Sequence, residues 1–406
     1  MANQFQSITT GLAMLKNAYR GPIIDLLNED IPIYRACEKV KEGWSGYQII
    51  RPLRVSRNQG IGATSDGGLL PAIGAQGTVQ SIIASKFLYL RFGITGPMIA
   101  ASASDAGSFV RDAAYELKMG YMDLSSDLNR QLSWDGTGDL ATISVAAVAS
   151  ASVTIAGRES TEPALKFIDS GMVVDIVTTA GAYKAQSVTI NSVSGTASAA
   201  TATVVFSTPV TAAVGDVIIR SGSLNNEVQG LLYALDGGTS TIYNVNRASY
   251  PAYQGNVTNV SLSQLSLNAM QGVYNEGLRR GSVSSYNANF CDFTSLAYYQ
   301  KLLTPDKRYV NTTEGDGTFG KKGKFYLEFN GVPMVPDKDC PTRMFFLPSE
   351  VFKMYELKAM EFADETGSMY IAQTDTDQLE VRIRHFVNMF NEQPAACAVL
   401  QGYISP

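Results

Sequence analysis

Between Val110 and Leu132 apolar residues return every three or four positions, at Val110, Ala113, Ala114, Leu117, Tyr121, Leu124, Leu128 and Leu132. That spacing puts them on one stripe of an amphipathic helix. Ser104 and Asp105 stand ahead of it as N-capping side chains. Over 104–131 the predicted helix is roughly 40 Å long at 1.5 Å rise per residue. Asp112, Glu116, Lys118, Asp123, Asp127 and Arg130 fall mostly off the stripe. The pattern predicts a beam with one face on a sheet and the other toward solvent or another chain.

Ahead of the helix the period changes from 3.6 to 2. Two limbs, 47–55 and 79–94, flank a tip rich in glycine that runs through Asn58, Gly60, Gly62, Gly67, Gly68, Pro71, Gly74 and Gly77. Such a density of glycine and proline predicts loop rather than packed core. Tyr47, Ile49, Leu53 and Val55 share one face of the first limb, and the run Phe87-Leu88-Tyr89-Leu90-Arg91-Phe92 is apolar on both faces. A two-stranded arm of this kind is marginal in water alone. It predicts cover from a neighbouring subunit.

Beyond Gly138 the chain turns to Ala, Ser, Thr, Val and Gly, with strand signals at 172–177, 186–193, 203–206 and 217–220. Short strands between frequent turns predict an inserted small barrel or sandwich over 139–223. Helix and strand signals then alternate. One helix holds Leu262, Leu265, Met270, Val273, Tyr274 and Leu278 and closes on Arg279-Arg280-Gly281. A second is capped by Asp292 and a third by Ser349, with strands at 324–329, 343–347, 379–390 and 395–404. The fold class is α+β.

With 406 residues, 45% of them hydrophobic, the chain can bury two or three domain cores. A formal charge of -5 gives no general attraction to nucleic acid. Cys37, Cys291, Cys340 and Cys397 have neither metal-site nor disulfide-framework spacing. The sequence opens without a charged segment followed by an apolar run, so the expectation is assembly in a cytoplasm, with no membrane partner.

One histidine, His385, removes most triad and multi-histidine metal chemistry. It continues the face of Val381, Ile383 and Val387 and reads as a structural histidine. The glycine pattern at 315–320 matches GxGxxG literally but precedes a strand, whereas dinucleotide binding needs it to open a helix. Asp364-Glu365, Asp375 with Asp377, and the lysine cluster over 321–324 read as charged surface. No catalytic residue, metal site or cofactor is predicted.

The order of N-terminal arm, glycine-tipped β-arm, long helix, mixed body and closing strands resembles the major capsid proteins of tailed bacteriophages, the HK97-like fold. The residues that carry the resemblance are Gln131-Leu132-Ser133-Trp134-Asp135-Gly136-Thr137-Gly138 and Phe329-Asn330-Gly331-Val332-Pro333-Met334-Val335-Pro336-Asp337. The resemblance implies an N-terminal arm over 1–45, an extended loop (E-loop) over 46–97, and a peripheral domain with its spine helix over 98–138. The inserted β-domain spans 139–223, a connection 224–260, the axial domain 261–375, and closing strands 376–406.

It further implies self-assembly into hexamers and pentamers of an icosahedral head. A separate scaffolding protein, a portal and weakly contacted double-stranded DNA would be its partners. The arm cations Arg51, Arg54, Arg57, Lys86 and Arg91 are the candidate intersubunit contacts. The tip carries no lysine, so no isopeptide cross-link is expected there. The alternatives are an encapsulin-like compartment, which shares the fold, and a carbohydrate-active enzyme with a β-insert, which would need two carboxylates facing a cleft.

Overall fold

The computed structural model of the chain describes residues 31–41, 44, 46–97, 112–196, 198–236, 241–281, 285–303, 327–363, 371–372 and 376–406. The capping residues Ser104 and Asp105, the glycine pattern at 315–320, the lysine cluster, Asp364, Glu365 and Asp375 lie outside the described residues.

A short helix α1 (Pro32–Ala36) leads into strand β1 (Glu38–Val40). Strands β2 (Gln48–Ser56) and β3 (Gly77–Ala84) form a separate antiparallel hairpin, with Gln48 opposite Ala84 and Ser56 opposite Gly77. Only Ser85 separates β3 from β4 (Lys86–Thr95), which leaves the hairpin for a larger sheet. The single return limb expected over 79–94 is thus two strands. Its doubly apolar stretch belongs to a sheet that needs one greasy face for a helix.

That helix is α2 (Asp112–Ser133), 22 residues and about 33 Å long. It crosses the sheet closely enough that a Cβ at Gly120 would meet Leu90 Cδ2 at 2.6 Å. Leu124, Leu128 and Leu132 are buried, whereas Tyr121 is exposed. The face expected to meet solvent is covered over the last two turns, where Asn129, Arg130, Gln131 and Ser133 are all buried. The cover comes from the chain returning out of the insert: Val228 N donates to Gln131 Oε1 at 3.0 Å. The helix exits through Gly138, whose φ of 92° and 2.8 Å approach to Ser223 O exclude a side chain.

Strands β5 (Asp139–Ile143), β6 (Ala147–Gly157), β7 (Val173–Val177), β8 (Tyr183–Ser194), β9 (Thr201–Ala212) and β10 (Val217–Arg220) close into a barrel in the order β10-β5-β6-β9-β8-β7. Ile155, Ile176, Ile190, Val204 and Ile218 fill it. Four of these strands carry the sequence signals; β5 and β6 carry none.

The chain resumes with α3 (Leu231–Leu235), the small ladder of β11 (Thr241–Ile242) and β12 (Val245–Asn246), then β13 (Asn256–Gln264), α4 (Leu267–Arg280), β14 (Ala288–Cys291) and α5 (Phe293–Leu303). Ser266 Oγ accepts from Ala269 N to cap α4, and Asp292 accepts from Thr294 N and Ser295 N to cap α5. Strands β15 (Leu327–Phe329), β16 (Val332–Pro336) and β17 (Arg343–Leu347) follow.

Where Ser349 was expected to start a helix, one 3-10 turn gives way to the long strand β18 (Phe352–Phe362). Phe352 and Met354 alternate into the core, and pairing with β1 on one side and β20 (Gln378–Asn391) on the other overrides the local helix formers. A two-residue strand β19 (Ile371–Ala372) precedes β20, and β21 (Ala398–Ile404) ends the chain.

The result is two sheets and a barrel. The long sheet runs β1-β18-β20-β19, with β4 also paired to β20, under α2. The second runs β13-β21-β17-β14-β16-β15 and carries α4. A ring cluster of Tyr274, Tyr286, Phe329 and Phe346 joins that helix to its sheet.

Candidate intersubunit surface

The hairpin is anchored at one end only. Ile49 and Ile83 stand opposite each other, both buried, and Ile82 N donates to Tyr243 O at 2.9 Å. Burial then falls along the ladder. In the tip, Ile61, Leu69, Leu70 and Ile73 are 85%, 95%, 85% and 103% exposed. The loop still has local order, because Asn58 Oδ1 accepts from Gly60 N at 2.7 Å and Gly68 N donates to Ser65 O at 2.9 Å. Four aliphatic side chains in water on a shaped loop need a partner surface.

The five arm cations separate into two groups. Arg51 donates to Tyr355 Oη at 2.7 Å and lies 3.9 Å from Glu392, across a cleft of about 460 Å³ at the hairpin base. Lys86 donates to Asn225 O at 2.7 Å, and burial pushes its ammonium below its ordinary range. Arg91 makes a bidentate contact with Glu380, at 2.7 and 3.1 Å. These three have intrachain work. Arg54 and Arg57 are exposed, and among the described residues no ion pair engages them.

A second polar region binds the barrel to the body. Trp134 is buried at the end of α2 and donates from Nε1 to Asp339 O at 2.9 Å. The Arg158 guanidinium lies 4.2 Å from its ring centroid and pairs with Asp135 at 2.5 Å. Arg343 reaches Glu159 at 2.6 Å, and Lys166 donates to Cys340 O at 2.8 Å. Beside them Arg130 joins Asp127 at 3.1 Å and Glu227 at 2.5 Å. Burial works to raise the Asp127 carboxyl, but Arg130 and Arg220 outweigh it and hold it down at about 2.

Two further buried groups tie distant segments together. Asn129 Nδ2 donates to Asp337 Oδ2 at 2.9 Å and Asp339 Oδ2 at 2.8 Å, while its Oδ1 accepts from Tyr34 N at 3.1 Å. Burial, and then the charge of Asp339, raise the Asp337 carboxyl to about 6. His385, fully buried, sits 3.2 Å from Glu356 Oε1 across the long sheet. Burial acts to raise Glu356, yet the contact with His385 leaves it below its ordinary range. Each group serves an internal bond. Among the described residues no cluster of three or more His, Cys, Asp or Glu is placed to hold a metal ion.

No protein-family profile matches the sequence, and no curated protein matches it. Solved structures do. A chain from the cyanophage A-1(L) capsid asymmetric unit superposes with a TM-score of 0.62 at 13% identity, over 98% of this chain and 99% of that one. A chain from the capsid of a native GTA particle gives 0.54 at 8% identity, over 99% of this chain and 100% of that one. The chain has an HK97-like capsid fold. Among the described residues none covers the apolar side chains of the hairpin tip. The sequence reading missed the carboxylate pair, because Asp337-Lys338-Asp339 looks like a charged surface turn until the fold brings Asn129 to it.

Proposed function

We propose that the chain is a major capsid protein, a non-enzymatic subunit that self-assembles through hexamers and pentamers into the closed icosahedral head of a tailed phage. The observation that carries this reading is the combination of a capsid fold over the whole chain with a hairpin whose apolar tip none of the described residues covers. The hairpin within 46–97 reaches onto a neighbouring subunit, and Arg54 and Arg57 are its outward cations. The spine region over 98–138 forms the peripheral part, residues 261–375 much of the axial part, the closing strands over 376–406 complete both, and the barrel over 139–223 rides on the spine's end. A separate scaffolding protein and a portal complete the head, double-stranded DNA is enclosed by weak contact, and assembly takes place in the host cytoplasm.

Expression of the chain, alone and with its neighbouring genes, followed by negative-stain electron microscopy and sedimentation, tests the proposal. Closed shells or capsomer rings support it, and their contents separate a genome-filled head from a cargo compartment. A monodisperse monomer under both conditions refutes it. Replacing 58–76 by a short turn is expected to leave the unfolding temperature of the subunit unchanged and to abolish closed shells. Normal shells from that variant would remove the bracing role of the tip.

A further inference from the structure

The cleft of about 460 Å³ at the hairpin base lies between two parts of the molecule. One wall is β2; the other is the 3-10 turn Pro251–Tyr253, the end of α4 and the bend that follows β20. Leu53, Tyr253 and Phe390 make part of the lining apolar.

Three guanidinium groups line the same cleft, Arg51, Arg54 and Arg280, against one carboxylate, Glu392. That carboxylate already has partners, because Tyr355 Oη donates to it at 3.2 Å and Lys353 Nζ lies at 3.6 Å. Arg280 is fixed by neutral oxygens, donating from Nη1 to Asn256 Oδ1 at 2.6 Å and from Nη2 to Pro251 O at 3.0 Å. Arg51 is fixed by Tyr355 Oη at 2.7 Å. Two of the three cations are thus in place before anything binds, which lowers the entropic cost of receiving an anion. A chain of formal charge -5 concentrates positive charge here beside apolar surface.

We propose that this cleft binds an acidic peptide segment of another protein. A carboxylate of the segment takes the arginine forks, and an apolar neighbour lies on Leu53 and Tyr253. Nucleic acid suits the cleft less well. Its phosphates form a continuous row, which would run against Glu392 and the apolar lining, whereas a cavity of this size takes a few side chains. Because one wall is the hairpin and the other the body, an occupant joins the two and holds the direction in which the hairpin points.

Binding is read on the unassembled full chain, so its failure leaves the shell-forming role untouched. The probe is a short fluorescein-labelled peptide of alternating glutamate and leucine, with a glutamine–leucine peptide as control, followed by fluorescence anisotropy. The acidic peptide should bind about tenfold tighter than its control or better, and Arg54→Gln and Arg280→Gln should each weaken it about tenfold, as loss of a charge-assisted hydrogen bond does. Arg57→Gln, next to the cleft but not lining it, should have no effect. Arg54 is an exposed side chain, so its variant keeps the test intact if Arg280→Gln disturbs the fold. Hydrogen exchange over 51–55 and 390–395 should slow when the peptide is present.

Equal binding of the two peptides, or an Arg57→Gln loss as large as that of Arg54→Gln, would overturn the site. A duplex DNA oligonucleotide that binds more tightly than the peptide, with the same dependence on Arg54 and Arg280, would assign the cleft to nucleic acid instead. A peptide that binds the free subunit but is excluded from assembled particles would assign it to a second copy of the chain and overturn a separate partner.

Discussion

Replacing Asp337 by Asn should change how the subunit's stability responds to pH, because this carboxyl is raised to about 6 in the fold from 3.8. Between those values the folded chain holds a proton that the unfolded chain has released. Stability from this group is therefore complete below pH 3.8 and is lost as pH rises through 6. The loss in full is about 3 kcal/mol at 1.36 kcal/mol per pKa unit, of which about 2 kcal/mol falls between pH 4.5 and 7.5. Asparagine has no such term, though it puts one amide where Asp337 now accepts from Asn129 Nδ2, a lost bond of about 1 kcal/mol.

Urea unfolding of unassembled subunit at the two pH values, parent and Asp337→Asn side by side, isolates the effect, since other carboxyls titrate in both. The variant should be about as stable as the parent at pH 4.5 and about 2 kcal/mol more stable at pH 7.5. Parallel pH slopes would refute the claim that Asp337 is a buried carboxyl under strain from Asp339.

Arg158→Ala removes the guanidinium stacked on Trp134 and paired with Asp135, and should lower stability by roughly 2 kcal/mol and speed proteolysis at the barrel's connectors; unchanged protease resistance would show that the barrel is held by other means. His385→Leu should cost about 3 kcal/mol by leaving Glu356 buried without its partner, with much of that recovered in the double variant with Glu356→Leu. A double-mutant cycle by chemical denaturation reads the coupling, and additive effects would show that the two side chains do not act as a pair. Mature particles boiled in detergent should run as a single subunit band, since the tip has no lysine and the Lys86 amine is held by Asn225 O; covalent ladders without added oxidant would contradict this.

The spine was legible because its stripe is long and periodic, and the cap at Asp292 because its chemistry is local. Strands β5 and β6 were not, since Ala, Ser and Thr alternate too weakly in size and polarity to mark a face. Strand β18 reads as helix from its Lys, Met, Glu, Leu and Ala, and only its two sheet partners decide otherwise. The break at Ser85 carries no glycine or proline, so Arg91 looked like an arm residue although Glu380, far along the chain, claims it. Networks such as Arg130 with Glu227 join segments remote in sequence, and no local pattern encodes them.

The placement of polar and apolar groups assigns rigidity and assembly to different parts of the molecule. Spine, barrel and the 337–340 turn are joined by buried ion pairs and hydrogen bonds, which fix geometry more than they add stability. The hairpin tip, by contrast, leaves four aliphatics in water, Ile61, Leu69, Leu70 and Ile73. Burying one such side chain contributes at most about 1.5–3 kcal/mol, and ordering the tip and losing subunit freedom offset part of the sum. A single contact made by the tip is then weak enough to open when a subunit is misplaced. Once a ring forms, each further tip contact closes at high effective concentration, so the same contact becomes hard to release without any new chemistry. A tip that bound its neighbour much more tightly would trap errors, which is why an aliphatic loop with one charge, Asp66, suits the task better than one lined with salt bridges.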